Sequence, residues 1–370
     1  MTCLANAIEL RNITKRFGQV VANKSISLEL HKGEILSLLG ENGSGKTTLM
    51  NMLSGIYYPD EGQIFVDGKE VEIRSPKDAF DLHIGMIHQH FKLVDVFTAA
   101  ENIILGLPGD KGKMDKNAVA KAVREIADRY GFDIDPNQKI YEMSVSQKQT
   151  VEIVKVLYRG ADILILDEPT AVLTPQETEK LFTVMRNMKK DGKAIIIITH
   201  KLHEVLAVSD RVAVLRKGEY IGDTDTATAS QQSLTDMMVG RAVSLNIDRP
   251  LNENQTERLR VEHLTVKNKE GVKMLDDVTF TAMGGEILGI AGIAGSGQKE
   301  LLESISGLQK LEDGSKITYI EPDGTECLLN GMDPLDIIRK GLLLSFVPED
   351  RFGMGLVGGM NIIQNIMLRT

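Results

Sequence analysis

The sequence predicts an α/β fold with a parallel sheet at its core, present as two copies along the chain. Short apolar runs at 35–39, 163–166 and 194–199 have the length and uninterrupted hydrophobicity of buried parallel strands. A glycine-rich segment at 40–48 joins the first run to a segment with the apolar spacing of a helix. Several short motifs then recur further along the chain at a constant offset. Buried strands that alternate with helices are typical of an α/β protein.

Composition and charge exclude several classes of protein. Of the 370 residues, 42% are hydrophobic and 26% are charged, which is ordinary for globular domains. The formal charge of −9 disfavours a nucleic-acid partner. Cys3 and Cys327 form no CxxC motif, so we expect reduced thiols without a disulfide or a thiolate metal site. Because neither a signal peptide nor a membrane-spanning apolar run is present, we expect a cytoplasmic protein that contacts a membrane only through a partner.

Three short motifs recur at an offset of 252 residues and indicate an internal duplication. They are GEIL at 33–36 and 285–288, GxxGSG at 40–45 and 292–297, and SG at 54–55 and 306–307. A repeat of this length denotes two homologous domains, which we place at 5–243 and 259–370. Residues 244–258 are rich in Asn, Asp, Glu and Pro and are predicted to be a linker. We expect the second copy to be only the N-terminal part of its domain, because it has fewer residues than the first.

The segment 40–48 fits the phosphate-binding pattern G-x-x-x-x-G-K-[ST] in full. Its residues are Gly40, Glu41, Asn42, Gly43, Ser44, Gly45, Lys46, Thr47 and Thr48. Glycines allow backbone N–H groups to surround phosphate oxygens, and the N-terminus of the following helix adds partial positive charge. We therefore expect Lys46 to reach the β- and γ-phosphate oxygens of a nucleotide and the Thr47 hydroxyl to bind Mg²⁺. The alternative is a glycine-rich turn without a ligand.

A pair of carboxylates follows the apolar run at 163–166. Ligands of open parallel sheets bind at the carboxyl ends of the strands, where Asp167 and Glu168 are predicted to lie. We expect Asp167 to hold Mg²⁺ through water and Glu168 to polarise the attacking water. A solvated strand end would give the same pattern, but the glycine loop favours the catalytic interpretation.

His200 directly follows the third apolar run. A single histidine is more often structural than catalytic. Its place after a buried strand, downstream of the two carboxylates, predicts a contact with the γ-phosphate.

These elements occur in several classes of nucleotide hydrolase, and the segment 144–147, Ser-Val-Ser-Gln, distinguishes among them. With Met143 before it, this segment resembles the signature usually written LSGGQ of the ABC (ATP-binding cassette) family. That signature begins a helix whose N-terminus faces the γ-phosphate held by the opposite domain. The resemblance therefore implies that Ser144, Ser146 and Gln147 contact ATP bound to another domain. A simple helix cap formed by Ser144 and Gln147 is the alternative.

Two further residues match the ABC pattern in the expected order. Phe17 matches the aromatic residue that stacks on adenine, and Gln89 matches the glutamine that joins Mg²⁺ to a helical subdomain, here at about 92–160. The resemblance implies a P-loop NTPase of the ABC type, with a parallel sheet core, an antiparallel β subdomain and a helical subdomain. It also implies ATP and Mg²⁺ as ligands. The implied catalytic residues are Lys46, Gln89, Glu168 and His200, and the implied metal ligands are Thr47, Gln89 and Asp167.

Longer segments narrow the resemblance to the ATPases of simple-sugar and nucleoside importers, nearest the nucleoside branch. These segments are residues 88–95, 101–103, 171–174 and 347–357. Thr174 stands where most ABC proteins have aspartate. In the second copy, Glu349 stands at the position that Gln89 occupies in the first. The resemblance implies an ATP-driven motor that works with membrane permease subunits and, through them, with a substrate-binding protein. It leaves open whether the cargo is a nucleoside or a ribose-like sugar.

The second glycine loop departs from the phosphate-binding pattern. Gln298 stands at the place of Lys46, and Lys299 stands at the place of Thr47. We therefore expect this loop to hold nucleotide poorly and to support no hydrolysis. In ABC proteins each site combines the loop of one domain with the signature of the other, so the first loop requires a signature beyond Thr370. We expect the chain to bind Mg-ATP without completing its active site intramolecularly.

Three functions are compatible with these sequence features. The first is an importer motor, in which ATP closes the two domains and the helical subdomain passes the motion to a permease. The second is a soluble ABC ATPase that acts on ribosomes or DNA, which the importer-like region around Gln89 and the acidic charge disfavour. The third is a nucleotide-binding module without hydrolysis.

Overall fold

The structure is a computed structural model that describes residues 5–89, 91–107, 116–241, 255–268, 271–292, 295–340, 347, 353 and 355–368. The chain divides into two compact units, Met1–Ile247 and Asp248–Thr370. His90, the linker residues 244–254 and most of the motif at 347–357, including Glu349, lie outside the described residues. The predicted domain limits at 243 and 259 stay predictions.

A six-stranded sheet forms the centre of the first unit. Its strands are β3 Ile35–Leu39, β6 Ile84–Ile87, β7 Ile163–Asp167, β8 Ala194–Ile198, β9 Arg211–Arg216 and β10 Glu219–Asp225. Their order is β10-β9-β3-β8-β7-β6, and all neighbours pair parallel except β9 and β10. β3, β7 and β8 are buried at every position, as continuous apolar runs predict for strands covered on both faces. The predicted parallel sheet is confirmed.

Two layers cover this sheet. One layer is an antiparallel sheet of β1 Asn6–Phe17, β2 Val20–His31, β4 Glu61–Val66 and β5 Lys69–Val71, in the order β2-β1-β4-β5. It shares a core with helix α1, Lys46–Leu53, and with Leu36 and Leu38 of β3. Helix α6, Pro175–Lys190, packs with Ile35 in a second core. Because successive strand residues point to opposite faces, β3 joins both layers.

The described residues of the helical subdomain predicted at about 92–160 form three α-helices and a short 3₁₀-helix. They are α3 Ala99–Ile104, α4 Lys116–Tyr130, the 3₁₀-helix Ile140–Glu142 and α5 Val145–Tyr158. Ile103, Val123 and Val151 are fully buried among them, so the subdomain has a core of its own. Three further helices complete the first unit. They are α2 Pro76–Asp81, α7 Leu202–Val208 and α8 Gln231–Val239. Across the described ranges, no helix is long and apolar enough to cross a bilayer.

The second unit repeats the antiparallel sheet and the loop-to-helix junction of the first. Its elements are β11 Glu257–Lys267, β12 Lys273–Met283, α9 Gln298–Ile305, β13 Lys316–Ile320, β14 Glu326–Leu328, α10 Pro334–Arg339 and α11 Ile362–Met367. The sheet order is β12-β11-β13-β14, around a core that includes Val261 and Ile317. β11 begins inside the predicted linker. Residues 285–292, all of which the structure describes, form no strand.

Candidate nucleotide-binding site

The glycine loop at 40–45 connects β3 to α1 at the carboxyl edge of the parallel sheet. Gly45 is the N-cap of α1 with a φ of 95°, a left-handed conformation that favours glycine. A Cβ atom at this position would lie 2.4 Å from the carbonyl oxygen of Ala22, so the loop excludes any larger residue. Gly45 provides no side-chain cap for the first N–H groups of α1. These donors are therefore suited to an anionic ligand.

The ammonium group of Lys46 lies inside this loop. The residue is 7% exposed, and its Nζ donates hydrogen bonds to the carbonyl oxygens of Gly40 at 2.7 Å and Glu41 at 2.9 Å. Burial lowers the pKa of Lys46, while the nearby carboxylates of Glu168 and Asp167 act in the opposite direction. The loop is therefore closed around a buried cation that faces two anions.

Asp167 and Glu168 lie at the end of β7, as the sequence predicted. Asp167 is 8% exposed, and burial followed by the charge of Glu168 raises its pKa, which Lys46 partly offsets. Glu168 has a φ of 47°, which is uncommon for a residue with a side chain. Its N–H donates to the carbonyl oxygen of Ile198 at 2.9 Å, and this bond holds the strained backbone against β8. Strain of this kind is concentrated at functional sites.

His200 lies next to Glu168, although it follows a different strand. Its Nδ1 is 3.0 Å from Oε1 of Glu168. The imidazole is 56% exposed and the Glu168 side chain 18%, so the pair lies at the mouth of the site. The two predicted catalytic residues are therefore in direct contact.

A cavity of about 300 Å³ opens between these groups. It is lined by residues 20–22 and 42–48 and by Gln89, Asp167, Glu168 and Ile198. Gly40 and Glu41 contribute carbonyl oxygens to Lys46 and do not line it. Most of the residues predicted to bind phosphate or metal are thus brought to one cavity.

The polar groups of this cavity fit Mg²⁺ bound together with a phosphate. Mg²⁺ is usually held by one or two carboxylates, with waters and substrate phosphates completing the shell. Asp167 supplies a carboxylate, Thr47 a hydroxyl and Gln89 an amide oxygen. Among the described residues, no group of three His, Cys, Asp or Glu side chains could hold a metal alone.

Phe17 lies outside this cavity. It ends β1, is 43% exposed and makes a T-shaped contact with Tyr57 at a ring-centroid distance of 5.1 Å. Lys15 Nζ lies 5.6 Å from the Phe17 ring centroid. The stacking of Phe17 on adenine stays a prediction.

The signature residues also lie outside the loop cavity. Ser144, Ser146 and Gln147 line a separate cavity of about 510 Å³ between α5 and α6. The Oγ of Ser144 accepts from the Gln147 N–H at 3.3 Å, and Oε1 of Gln147 accepts from the Ser144 N–H at 2.9 Å. The predicted cap is confirmed, and the predicted contact with ATP on another domain stays a prediction.

The role of Asn23 was not predicted from the sequence. This residue of β2 is fully buried, and its Nδ2 donates to the carbonyl oxygen of Gly45 at 3.1 Å. It therefore fixes the loop at the N-cap of α1. An amide within an otherwise β-type run was the only available signal, and such an amide is also common at exposed strand positions.

The junction between the second glycine loop and α9 resembles that between the first loop and α1, but Gln298 stands at the place of the Lys46 cation. Gly297 caps α9 with a φ of 90°, close to the value at Gly45. Gln298 Nε2 donates to the carbonyl oxygen of Ile290, before the loop, at 3.1 Å, whereas Lys46 donates to carbonyl oxygens of its own loop. The side chain of Lys299 is 67% exposed and lies near Glu303. The weak nucleotide binding expected of this loop stays a prediction.

This fold and this site define an ATP-binding cassette, and comparisons with known proteins agree. The ABC transporter family matches residues 23–171. The nucleoside import ATP-binding protein NupA of Lactococcus lactis subsp. cremoris (strain MG1363) is 46% identical over 98% of this chain and 70% of its own length. The guanosine import ATP-binding protein NupO of Bacillus subtilis (strain 168) has the same identity and coverage.

A solved structure is similar at the level of the fold. It is the ADP conformation of MJ1267, an ATP-binding cassette of an ABC transporter, with a TM-score of 0.56 and 25% identity over 63% of this chain and 95% of that chain. The chain therefore belongs to the ABC transporter family, as an ATP-binding subunit and transport-coupled ATPase. The family predicted from the signature is confirmed.

Replacement of Asn23 by alanine is expected to weaken ATP binding. The carbonyl oxygen of Gly45 would lose its buried donor, so we expect the affinity of the chain for ATP to fall about tenfold. Titration with a fluorescent ATP analogue measures this affinity. Asn102→Ala is the matched control, because Asn102 is an equally buried amide that bonds to Val94 in the helical subdomain. Equal affinities of the two variants would contradict the role of Asn23.

Proposed function

We propose that this chain is the ATP-hydrolysing motor of an importer for nucleosides. The observation that carries the proposal is one cavity that joins the Lys46 loop to Asp167 and Glu168 at the carboxyl edge of the sheet. The nucleoside cargo is supported by the two relatives named for nucleoside and guanosine import. A simple sugar such as ribose is the alternative cargo.

Different residues of the first unit bind the phosphates, the metal and the adenine ring of Mg-ATP. The N–H groups of the loop and the Lys46 ammonium group bind the phosphates, and Thr47, Gln89 and Asp167 hold Mg²⁺. The chemistry that bound Mg²⁺ supplies is neutralisation of charge on the β- and γ-phosphate oxygens. Phe17 stacks on the adenine ring.

Glu168 and His200 act on the attacking water and the γ-phosphate. Glu168 orients the water and accepts its proton. His200 holds the Glu168 carboxylate through its Nδ1 and presents its other ring nitrogen to the γ-phosphate. Contact between the two side chains keeps water and phosphate in line.

The signature helix completes a second nucleotide site. Ser144, Ser146 and Gln147 lie at the N-terminus of α5, where the helix dipole favours an anion. In this proposal they contact the γ-phosphate of ATP bound to another nucleotide-binding domain. The separate cavity of these residues is consistent with a ligand that is not held by the Lys46 loop.

A basic groove beside Gln89 is the proposed docking site for the permease. The groove, of about 320 Å³, lies between α2 and β6 on one side and α5 on the other. Its described lining includes Lys92, Lys155 and Arg159 but only one carboxylate, Glu152. Burial lowers the pKa of Lys155 and of Arg159, and Arg159 Nε has no partner among the described residues. An acidic segment of a permease would supply the missing negative charge.

In this proposal the permease determines where the chain is located in the cell. The permease holds it at the cytoplasmic face of the membrane and connects it to a substrate-binding protein. Nucleic acid is not a partner, because the net charge of −9 offers no broad basic face. A soluble ABC ATPase without a permease is the competing function, and capture of a permease by this chain distinguishes the two.

Replacement of Glu168 by glutamine is expected to abolish ATP hydrolysis and to preserve ATP binding. The amide keeps the shape of the side chain but cannot accept a proton from water. Measurement of phosphate release and of ATP affinity for both chains tests the proposal. Equal rates of Mg-dependent hydrolysis, both above background, by the unmodified chain and by Glu168→Gln would exclude Glu168 as the catalytic base.

Reversal of one groove charge is expected to weaken permease capture. Lys92 is exposed at the groove, so Lys92→Glu should fold and should repel an acidic partner segment, with recovery of the permease reduced about tenfold. Co-purification from membranes that contain the permease measures the recovery. Lys121→Glu, on the exposed face of α4, is the control. Equal losses from both variants would argue against this docking site.

A further inference from the structure

Glu204 is a buried carboxylate that none of the roles above uses. It lies in the first turn of α7 and is 2% exposed. Its Oε2 accepts hydrogen bonds from the hydroxyl groups of Thr170 at 2.6 Å and Thr199 at 3.2 Å. Its Oε1 lies 3.0 Å from Nζ of Lys201. Both carboxylate oxygens therefore have partners, as burial of a charge requires.

The two hydroxyl groups belong to the segments that carry the proposed catalytic pair. Thr170 lies in the turn that follows Glu168, and Thr199 directly precedes His200. Lys201 adds three bonds: its Nζ donates to the Thr170 carbonyl oxygen at 2.9 Å and to Thr170 Oγ1 at 3.4 Å, and its N–H donates to Oγ1 of Thr199 at 3.1 Å. One carboxylate and one ammonium group thus connect the ends of the neighbouring strands β7 and β8.

The catalytic pair needs such support to keep its geometry. The positive φ of Glu168 is a strained conformation, which persists only where the surrounding structure enforces it. The His200 side chain is more than half exposed, so little packing fixes the imidazole. The distance between Glu168 and His200 can therefore be set by the backbone segments that carry these two residues.

We propose that Glu204 is a positioning residue that sets the separation of Glu168 and His200 through Thr170 and Thr199. This inference rests on the proposed role of the pair in ATP hydrolysis. Glu204 does not line the cavity of the Lys46 loop, so it acts through the two threonines and not on the nucleotide.

The first test compares hydrolysis by the full chain and its Glu204→Gln variant. Glutamine keeps the shape of the side chain but loses the charge that Lys201 faces and one of the two acceptors. We expect kcat to fall about 10- to 100-fold, the scale of small displacements of catalytic groups. We expect the KM for ATP to change less than about twofold, because the phosphate-binding loop is untouched.

Glu34→Gln is the matched control for loss of a buried carboxylate. Glu34 is 6% exposed and pairs with Arg211 at 2.8 Å. It directly precedes β3 and so lies at the edge of the sheet opposite the glycine loop. Its kcat should equal that of the unmodified chain. An equal fall in kcat for Glu34→Gln and Glu204→Gln would mean that Glu204 stabilises the fold and has no specific positioning role.

Two substitutions of Thr170 test the same inference in a second way. Thr170→Val removes the hydroxyl group with little change of shape, and Thr170→Ser retains it. We expect the valine variant to reproduce the loss of kcat and the serine variant to keep kcat near that of the unmodified chain. Equal kcat values for the two variants would overturn the inference.

Hydrogen exchange tests the positioning role independently of turnover. We expect Glu204→Gln to speed exchange of the backbone amides at 167–171 and 198–204, and Glu34→Gln to leave them unchanged. Unchanged exchange in Glu204→Gln would overturn the inference. If the unmodified chain and Glu168→Gln hydrolyse ATP at equal rates above background, the proposed function fails, and the exchange data still decide whether Glu204 holds the two segments together.

Discussion

The buried ammonium group of Lys46 holds the glycine loop together from the inside. It donates to the carbonyl oxygens of Gly40 and Glu41, while the first N–H groups of α1 have no side-chain cap and are suited to a phosphate. A buried cation is costly unless anions lie near, and Asp167 and Glu168 supply them from the end of β7. The parallel order of β3, β8 and β7 brings these charges to one edge of the sheet. The cavity therefore depends on this charge balance.

Local signals allowed much of the first unit to be predicted from the sequence. The continuous apolar runs predicted β3 and β7, and the Ser144–Gln147 spacing predicted the cap of α5. These predictions were possible because each signal spans only a few neighbouring residues. Asn23 and Glu204 were missed for the opposite reason. Asn23 meets Gly45 across 22 positions of sequence, and Glu204 meets Thr170 across 34. Only tertiary packing brings such partners together.

Comparison of the two glycine loops shows that the backbone conformation at the start of the helix can occur without the cation. Gly45 and Gly297 adopt nearly the same left-handed conformation, so the loop-to-helix junction persists in both units. Over the described residues, only the first unit places a cation in its loop, because Gln298 is uncharged and bonds to the carbonyl oxygen of Ile290, before the loop. A glycine pattern therefore indicates the shape of a phosphate loop, and the residue after the last glycine indicates whether that loop has the charge to bind phosphate.

Calorimetric titration of the full chain with Mg-ATP tests the central claim most directly, with Lys46→Ala titrated alongside it. Lys46 places a buried cation in the first glycine loop, whereas neutral Gln298 stands at that place in the second, so we expect a single ATP to bind per unmodified chain. We expect no measurable binding to Lys46→Ala. Retained binding to Lys46→Ala, or binding of two ATP molecules to the unmodified chain, would contradict the account.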